Sequence, residues 1–205
     1  MSAAGAERAS AHAPHPLIAA AADGELPPWA EAGAARVAHM RRVAGLLDGW
    51  AGERGLGDAE RARWRAAGML HDALREAEPR SLVPLVPPSL RDLPASLLHG
   101  PAAATRLREE GVRDEGLLEA VAYHTIGRAG LGPLGRMLYV ADFLEPGRTF
   151  EPEWRAALRG RMPDDEPAIL AEVVAARIGH LVAARSNVRP ESLEFWNALV
   201  EEEGW

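Results

Sequence analysis

Cysteine is absent from this chain of 205 residues. Disulfide frameworks, zinc–thiolate sites and iron–sulfur clusters are therefore excluded. The lack of cysteine also fits a cytoplasmic protein. Lysine is absent too, so all 23 basic residues are Arg. That rules out a lysine Schiff base, a P-loop lysine and a Ser–Lys dyad. No apolar run approaches the roughly 18 residues a membrane-spanning helix needs. A surplus of positive charge is missing as well. The formal net charge is −7, which argues against broad non-specific binding to nucleic acid or to an anionic membrane. It leaves room for a local Arg cluster gripping a phosphate.

What is present suits one globular domain. Hydrophobic residues make up 47% and charged residues 26%, and a chain of this length can bury a core without staples. Forty residues are Ala, and together with Arg in place of Lys this reads as genome composition. The N-terminal stretch MSAAGAERASAHAPHP carries Glu7 and Arg8 and lacks a basic-then-apolar signal pattern. Residues 1–28 are expected to form a flexible tail in which His12 and His15 are inert, and residues 29–205 the folded domain.

Beyond the tail the pattern is helical almost throughout. Val37, Met40, Ala44 and Leu47 fall at helical spacing, and helices are predicted at about 29–52, 58–78, 93–111, 113–125, 133–145, 152–161, 165–185 and 190–202. Asp58 is a plausible N-cap, and Pro133 suits a first helical position. SLVPLVPPSL has three prolines in ten residues and is a connection. No period-2 run, hairpin dipeptide or internal repeat is found. The fold class is all-α, a single helical bundle. Gly130, Gly132 and Gly135 match G-x-G-x-x-G, but a dinucleotide fingerprint needs a strand before it and a parallel sheet around it. Here the glycines mark a loop entering a helix.

The remaining histidines are more informative. His39 shares a stripe with Val43, Leu46 and Trp50, and His71 a face with Trp64, Ala67 and Leu74. His99 lies with Ala95 and Ala102, and His124 with Leu117 and Ala120. Asp142 stands inside the apolar run from Met137 to Leu144. Singly, each fits an ordinary hydrogen-bonded core group. Together, inward-facing and unpartnered, they would each cost several kcal/mol, on the order expected for buried unpaired polar groups. A shared metal centre removes that cost by turning them into ligands. His71 and Asp72 are adjacent, about 100° apart on a helix. They can flank one cation, or Asp72 can bridge two. His39, His71, Asp72 and Asp142 form one group, with His99 and His124 as further nitrogens. Six such ligands suit two metals, the usual clamp for phosphoryl chemistry.

The order His39, His71-Asp72, Asp142 resembles the H…HD…D signature of HD-domain phosphohydrolases. LHDALRE (70–76), LLHGPAAA (97–104), YHTIGR (123–128) and LYVADFLEPGR (138–148) are similar to successive motifs of the YqeK family, over about residues 30–200. The resemblance implies an all-helical HD-domain enzyme with a di-iron centre. Such an enzyme hydrolyses diadenosine tetraphosphate and related dinucleotides symmetrically to two nucleoside diphosphates. It further implies that His39, His71, Asp72 and Asp142 hold one iron, that Asp72 bridges, and that His99 and His124 complete the second. One position departs from the family pattern. Arg75 stands where Lys is common, and a guanidinium stays charged and donates no proton.

On this reading Asp72 and Arg75 are catalytic, and Thr125, Arg128 and Arg148 bind substrate. Hydrolysis needs no organic cofactor. The partner is a small dinucleotide, without nucleic acid or membrane, and a homodimer is left open. His180 is expected to be structural or at the surface. Arg185, Arg189 and Asn197 are candidates for a pocket fringe. Trp29, Trp50 and Trp64 are expected to pack the bundle, with adenine stacking open for one of them. The HD doublet also permits hydrolysis of an alarmone, a deoxynucleotide or a cyclic nucleotide. A nucleotide-sensing module without turnover and a redox di-metal oxygenase are further alternatives.

Overall fold

The computed structural model describes residues 14–204. Among them there are ten α-helices and no strand: α1 Pro16–Ala22, α2 Ala34–Glu53, α3 Asp58–Leu70, α4 Pro79–Leu82, α5 His99–Glu109, α6 Glu115–Tyr123, α7 Pro133–Leu144, α8 Pro152–Arg161, α9 Glu166–Ala183 and α10 Pro190–Glu203. Short 3-10 turns fill the proline-rich connection between α4 and α5. The expected all-α class holds. His12 lies outside the described residues. The part of the expected tail that is described is not all extended. His15 caps α1, its imidazole accepting from the Leu17 N–H, and Ile18 and Ala21 are buried where α1 packs on α3.

The centre of the bundle is α7. Gly132 precedes it in an extended conformation and Pro133 opens it, which agrees with the loop reading of the glycine triplet. Met137, Leu138, Val140, Ala141 and Leu144 are fully buried, and α7 packs against α2, α3, α6, α8 and α9. A fully buried Leu or Met side chain contributes roughly 1.5–3 kcal/mol. A helix enclosed on so many sides carries few polar residues, so Asp142 on it needs partners. α2 buries one stripe, running through His39, Met40, Val43, Ala44, Leu47, Trp50 and Ala51. Trp50 and Trp64 are buried and Trp29 packs against the same core.

Two helix crossings set the geometry of the site. At Gly68 in α3, an added Cβ would lie 2.6 Å from the Ala44 Cα of α2. The two backbones touch here, three residues before His71 and five after His39. At Gly100 in α5, an added Cβ would meet the Val121 carbonyl at 2.9 Å and the His124 ring at 3.2 Å. Glycine is required at both because only a hydrogen fits.

The expected helix over 58–78 ends at Leu70, and residues 71–76 continue as turns. The Ala73 and Arg75 N–H groups donate to carbonyls three residues back, Leu70 and Asp72. The Ala73 carbonyl instead accepts from the Glu31 N–H at 2.7 Å. A tertiary bond to the segment before α2 thus replaces continuation of the helix. The boundary was not legible because no Gly or Pro marks it.

Gly68→Ala tests the crossing. The methyl group must push α2 and α3 apart, at a cost of about 1–3 kcal/mol for overpacking. The expected outcome is a lower urea midpoint together with reduced metal content in purified protein.

Candidate metal centre

Four imidazoles and two carboxylates converge where α2, α3, α5, α6 and α7 meet. His71 is the C-cap of α3, His124 the C-cap of α6, and His99 the first residue of α5. His39 and Asp142 lie within α2 and α7. All six residues are buried. Asp72 is at the middle, and its two oxygens divide the histidines between them. Oδ1 lies 3.1 Å from His99 Nε2 and 3.5 Å from His124 Nε2. Oδ2 lies 3.5 Å from both His39 Nε2 and His71 Nε2. Asp142 Oδ1 is 3.2 Å from His39 Nε2. His39, His71 and Asp72 form one group suited to a metal ion, and Asp72, His99 and His124 form another. Asp72 is common to both.

The protons on the rings test whether a metal fits. His71 Nδ1 faces the Gly68 carbonyl at 2.8 Å, His99 Nδ1 the Ser96 carbonyl at 3.0 Å, and His124 Nδ1 the Val121 carbonyl at 2.8 Å. A carbonyl only accepts, so each Nδ1 carries a hydrogen and donates it. His39 Nδ1 lies 3.2 Å from Glu145 Oε1. In the neutral rings this leaves four Nε2 lone pairs pointing inward. His39 Nε2 and His71 Nε2 are 3.2 Å apart, and His99 Nε2 and His124 Nε2 are 3.1 Å apart. Facing lone pairs beside a carboxylate repel one another unless a cation lies among them. The donor set of imidazole and carboxylate suits a divalent transition metal. Ligand tautomers fixed by a carbonyl or a carboxylate on the other nitrogen are the usual mark of such a site.

Charge is distributed to match. Burial alone would push the Asp72 carboxyl up, but the surrounding imidazoles of His71, His124 and His99 outweigh it and hold the carboxyl far below the usual carboxylate range. Asp142 behaves likewise. Burial is outweighed by the neighbouring His39 imidazole and by the Arg177 and Arg148 guanidinium charges. Burial lowers His99 to about 4, with Asp72 only partly opposing. The centre therefore favours ionised carboxylates and a neutral His99, the forms in which all of them ligate.

The expected substrate residues fare unevenly. Arg148 sits at the centre, with Nη2 bonding Asp142 Oδ1 at 2.6 Å. Arg75 is half-buried, close enough for its charge to disfavour protonation of His99. Thr125 follows His124 and lines a cleft of about 1130 Å³. Arg128 is not brought to the centre. It pairs with Glu119 at 2.7 Å, lies over the Tyr123 ring and lines a separate cavity of about 310 Å³. An acidic residue nine positions earlier on α6 captures it, a pairing that motif spacing does not reveal. His180 is exposed at the edge of the larger cleft, and Arg185 and Arg189 line that cleft.

Three important residues escaped the sequence reading. Glu145 is buried and grips His39 Nδ1, Arg42 Nε at 2.5 Å and the Gly147 N–H at 2.8 Å. Arg36 Nη1 bonds Asp72 Oδ2 at 2.7 Å. Arg177 Nη2 bonds Asp142 Oδ2 at 2.9 Å, and its guanidinium lies over the Tyr139 ring. A signal for Arg177 existed, since it continues the buried stripe of Ile169, Leu170, Val173 and Val174. A charge on such a stripe needs a buried partner. For Glu145, just beyond the helix and before Pro146, periodicity gives no orientation.

These features define a helical protein with a buried histidine–aspartate centre divided by one carboxylate. Residues 36–173 match the HD domain family, and the chain belongs to that family, whose members bind divalent metals. It is similar to three proteins named bis(5'-nucleosyl)-tetraphosphatase, symmetrical. The identity is 46% over 66 residues with that of Bacillus subtilis (strain 168), covering 32% of this chain and 36% of that one. It is 32% over 108 residues with that of Halalkalibacterium halodurans, covering 52% and 57%, and 32% over 98 residues with that of Staphylococcus aureus, covering 45% and 50%. The matches thus span from about a third to under three fifths of the curated relatives' length. A solved structure described as a predicted HD superfamily hydrolase involved in NAD metabolism, from Clostridium acetobutylicum, superposes with a TM-score of 0.73. Its identity is 25%, with 83% of this chain and 91% of that one covered.

Removing the carboxylate behind His39 should loosen the metal. Glu145→Ala is expected to weaken metal affinity roughly 10- to 100-fold, read by competitive chelator titration. Acidification supplies a second check. His99 titrates at about 4 when folded, below the ordinary 6.5 or so of histidine. Between these values the unfolded chain binds a proton that the folded chain refuses. The stabilisation from neutral His99 is thus complete above about pH 6.5 and is lost as pH falls towards 4. Urea midpoints of metal-free protein should decline across that window.

Proposed function

We propose that this chain is a metal-dependent phosphohydrolase that cleaves diadenosine tetraphosphate and related dinucleotides symmetrically, with a pair of iron ions as its metal. The observation that carries the reading is the split of four inward Nε2 lone pairs across the two oxygens of Asp72. The names of the three relatives supply the substrate class.

Two metal ions, when bound, supply Lewis acidity that makes water a better nucleophile and offsets charge on phosphoryl oxygens. On this reading His39, His71, Asp72 and Asp142 would hold one, and Asp72, His99 and His124 would hold the other. Asp72 stays ionised, which suits a ligand and a charge anchor and not a proton shuttle. Water attacks one of the two inner phosphorus atoms, and the P–O bond joining the two halves breaks. Each half leaves as a nucleoside diphosphate.

That leaving group is a stable anion, so it needs no general acid. A permanently charged Arg75 therefore serves as well as Lys, by stabilising negative charge in the transition state. Arg36 and Arg148 are half-buried and reach the ligand carboxylates from the solvent side. Their forked guanidinium groups suit phosphate oxygens. Thr125 offers a hydroxyl from the cleft wall beside His124.

The test is product identification with anaerobically iron-loaded protein. Two ADP from diadenosine tetraphosphate is the expected result, and ATP plus AMP would reject symmetric cleavage. Asp72→Ala should lose both bound metal and turnover, with far-UV circular dichroism unchanged. Full activity in that variant would refute the shared-carboxylate assignment.

A further inference from the structure

The larger cleft, about 1130 Å³, contains none of the six centre residues but touches them at three points. Arg177 on its wall bonds Asp142. Ser96 offers its carbonyl to His99 Nδ1. Thr125 adjoins His124. Part of the lining is aromatic. Phe143 and Trp154 meet edge to face with centroids 5.9 Å apart, and Phe150 lies on the same wall. Phe150 is 65% exposed, a large apolar ring left in water at the mouth of a cleft.

Its backbone is not free to fold inward. The buried Arg155 donates from Nε to the Phe150 carbonyl at 2.7 Å and from Nη1 to the Phe143 carbonyl. Its guanidinium lies 3.8 Å from the centroid of the Phe143 ring. One buried fork thus ties both ends of the segment 143–150 together and holds the aromatic wall in place. The rim adds cationic and hydrogen-bonding side chains, Arg185, Arg189 and Asn187 among them.

We infer that this cleft seats one nucleoside half of the dinucleotide, with its base stacked on the wall formed by Phe150 and Trp154. The inference rests on the phosphohydrolase reading and adds the place where a base is held. A flat aromatic heterocycle covers the exposed Phe150 ring and the half-buried Trp154 indole, and such stacking tolerates any base because every base has a π-face. An acyl chain would fill the wall but make no use of the Arg185 guanidinium and the Asn187 amide at the rim. A phosphate alone would leave the aromatic rings uncovered. The volume of about 1130 Å³ is ample for one nucleoside with its phosphates. Phosphates leading from a base in this cleft pass Thr125 and Arg177 on the way to the centre.

The experiment compares ADP with pyrophosphate as ligands of the metal-loaded full chain by calorimetry. Phe150→Ala and Trp154→Ala should each weaken ADP at least about fivefold and leave pyrophosphate unchanged. The KM for diadenosine tetraphosphate should rise in parallel, with kcat within about twofold. Trp154→Phe should restore most of the ADP affinity. Unaltered ADP binding in both alanine variants overturns the inference. Equal losses of ADP and pyrophosphate also overturn it, since they mean that phosphate contacts or the fold had been disturbed. Absence of tetraphosphate cleavage by the wild type would defeat the proposed function alone, because the ADP and pyrophosphate comparison reads the base directly.

Discussion

Four imidazoles, each with its outer nitrogen facing an oxygen acceptor, present their inner lone pairs to one carboxylate. That constraint organises the molecule. The carbonyls of Gly68, Ser96 and Val121 and the carboxylate of Glu145 face Nδ1. The inner nitrogens then approach one another to just over 3 Å, an arrangement that neutral acceptors tolerate only around a cation. A structural network would alternate donors with acceptors. Here acceptors gather, which is what a metal-binding interior requires.

The bundle is shaped to deliver this. Three of the four histidines sit at or just past a helix end, where the nearby carbonyl three residues back is free to accept from Nδ1. Helix termini thus serve as ring holders. The close approaches at Gly68 and Gly100 draw α2 onto α3 and α5 onto α6, so that each pair of facing rings comes from two touching helices. α7 passes through the middle of the apolar core and brings Asp142, whose charge is balanced by Arg148 and the interior Arg177. Low dielectric strengthens each of these interactions and makes an unpartnered member costly. Burial keeps His99 neutral, while the neighbouring imidazoles and guanidinium groups outweigh burial and keep the carboxyl groups ionised, so the site is electrically prepared for cations.

Most of the helical frame could be read from the spacing of apolar residues, and the six centre residues from the order of histidines and acids along it. Where the reading failed, the cause was a tertiary contact. The helix through the doublet ends early because Ala73 gives its carbonyl to Glu31. Arg128 turns to Glu119. Glu145, Arg36 and Arg177 carry charges that have no motif spacing of their own, and they become intelligible only from the partners they meet across the fold. Part of the expected N-terminal tail is helical because Ile18 and Ala21 find a surface on α3.

The amino-acid order by itself determined the all-helical class, the absence of thiolate and lysine chemistry, and which histidines and aspartates stand on inward faces, because those follow from composition and from a period of 3.6. Only the tertiary structure decided which ring nitrogen points inward, how Asp72 divides its two oxygens and which arginines reach the centre. These depend on angles between helices and on partners dozens of residues away, and a one-dimensional period carries no information about either.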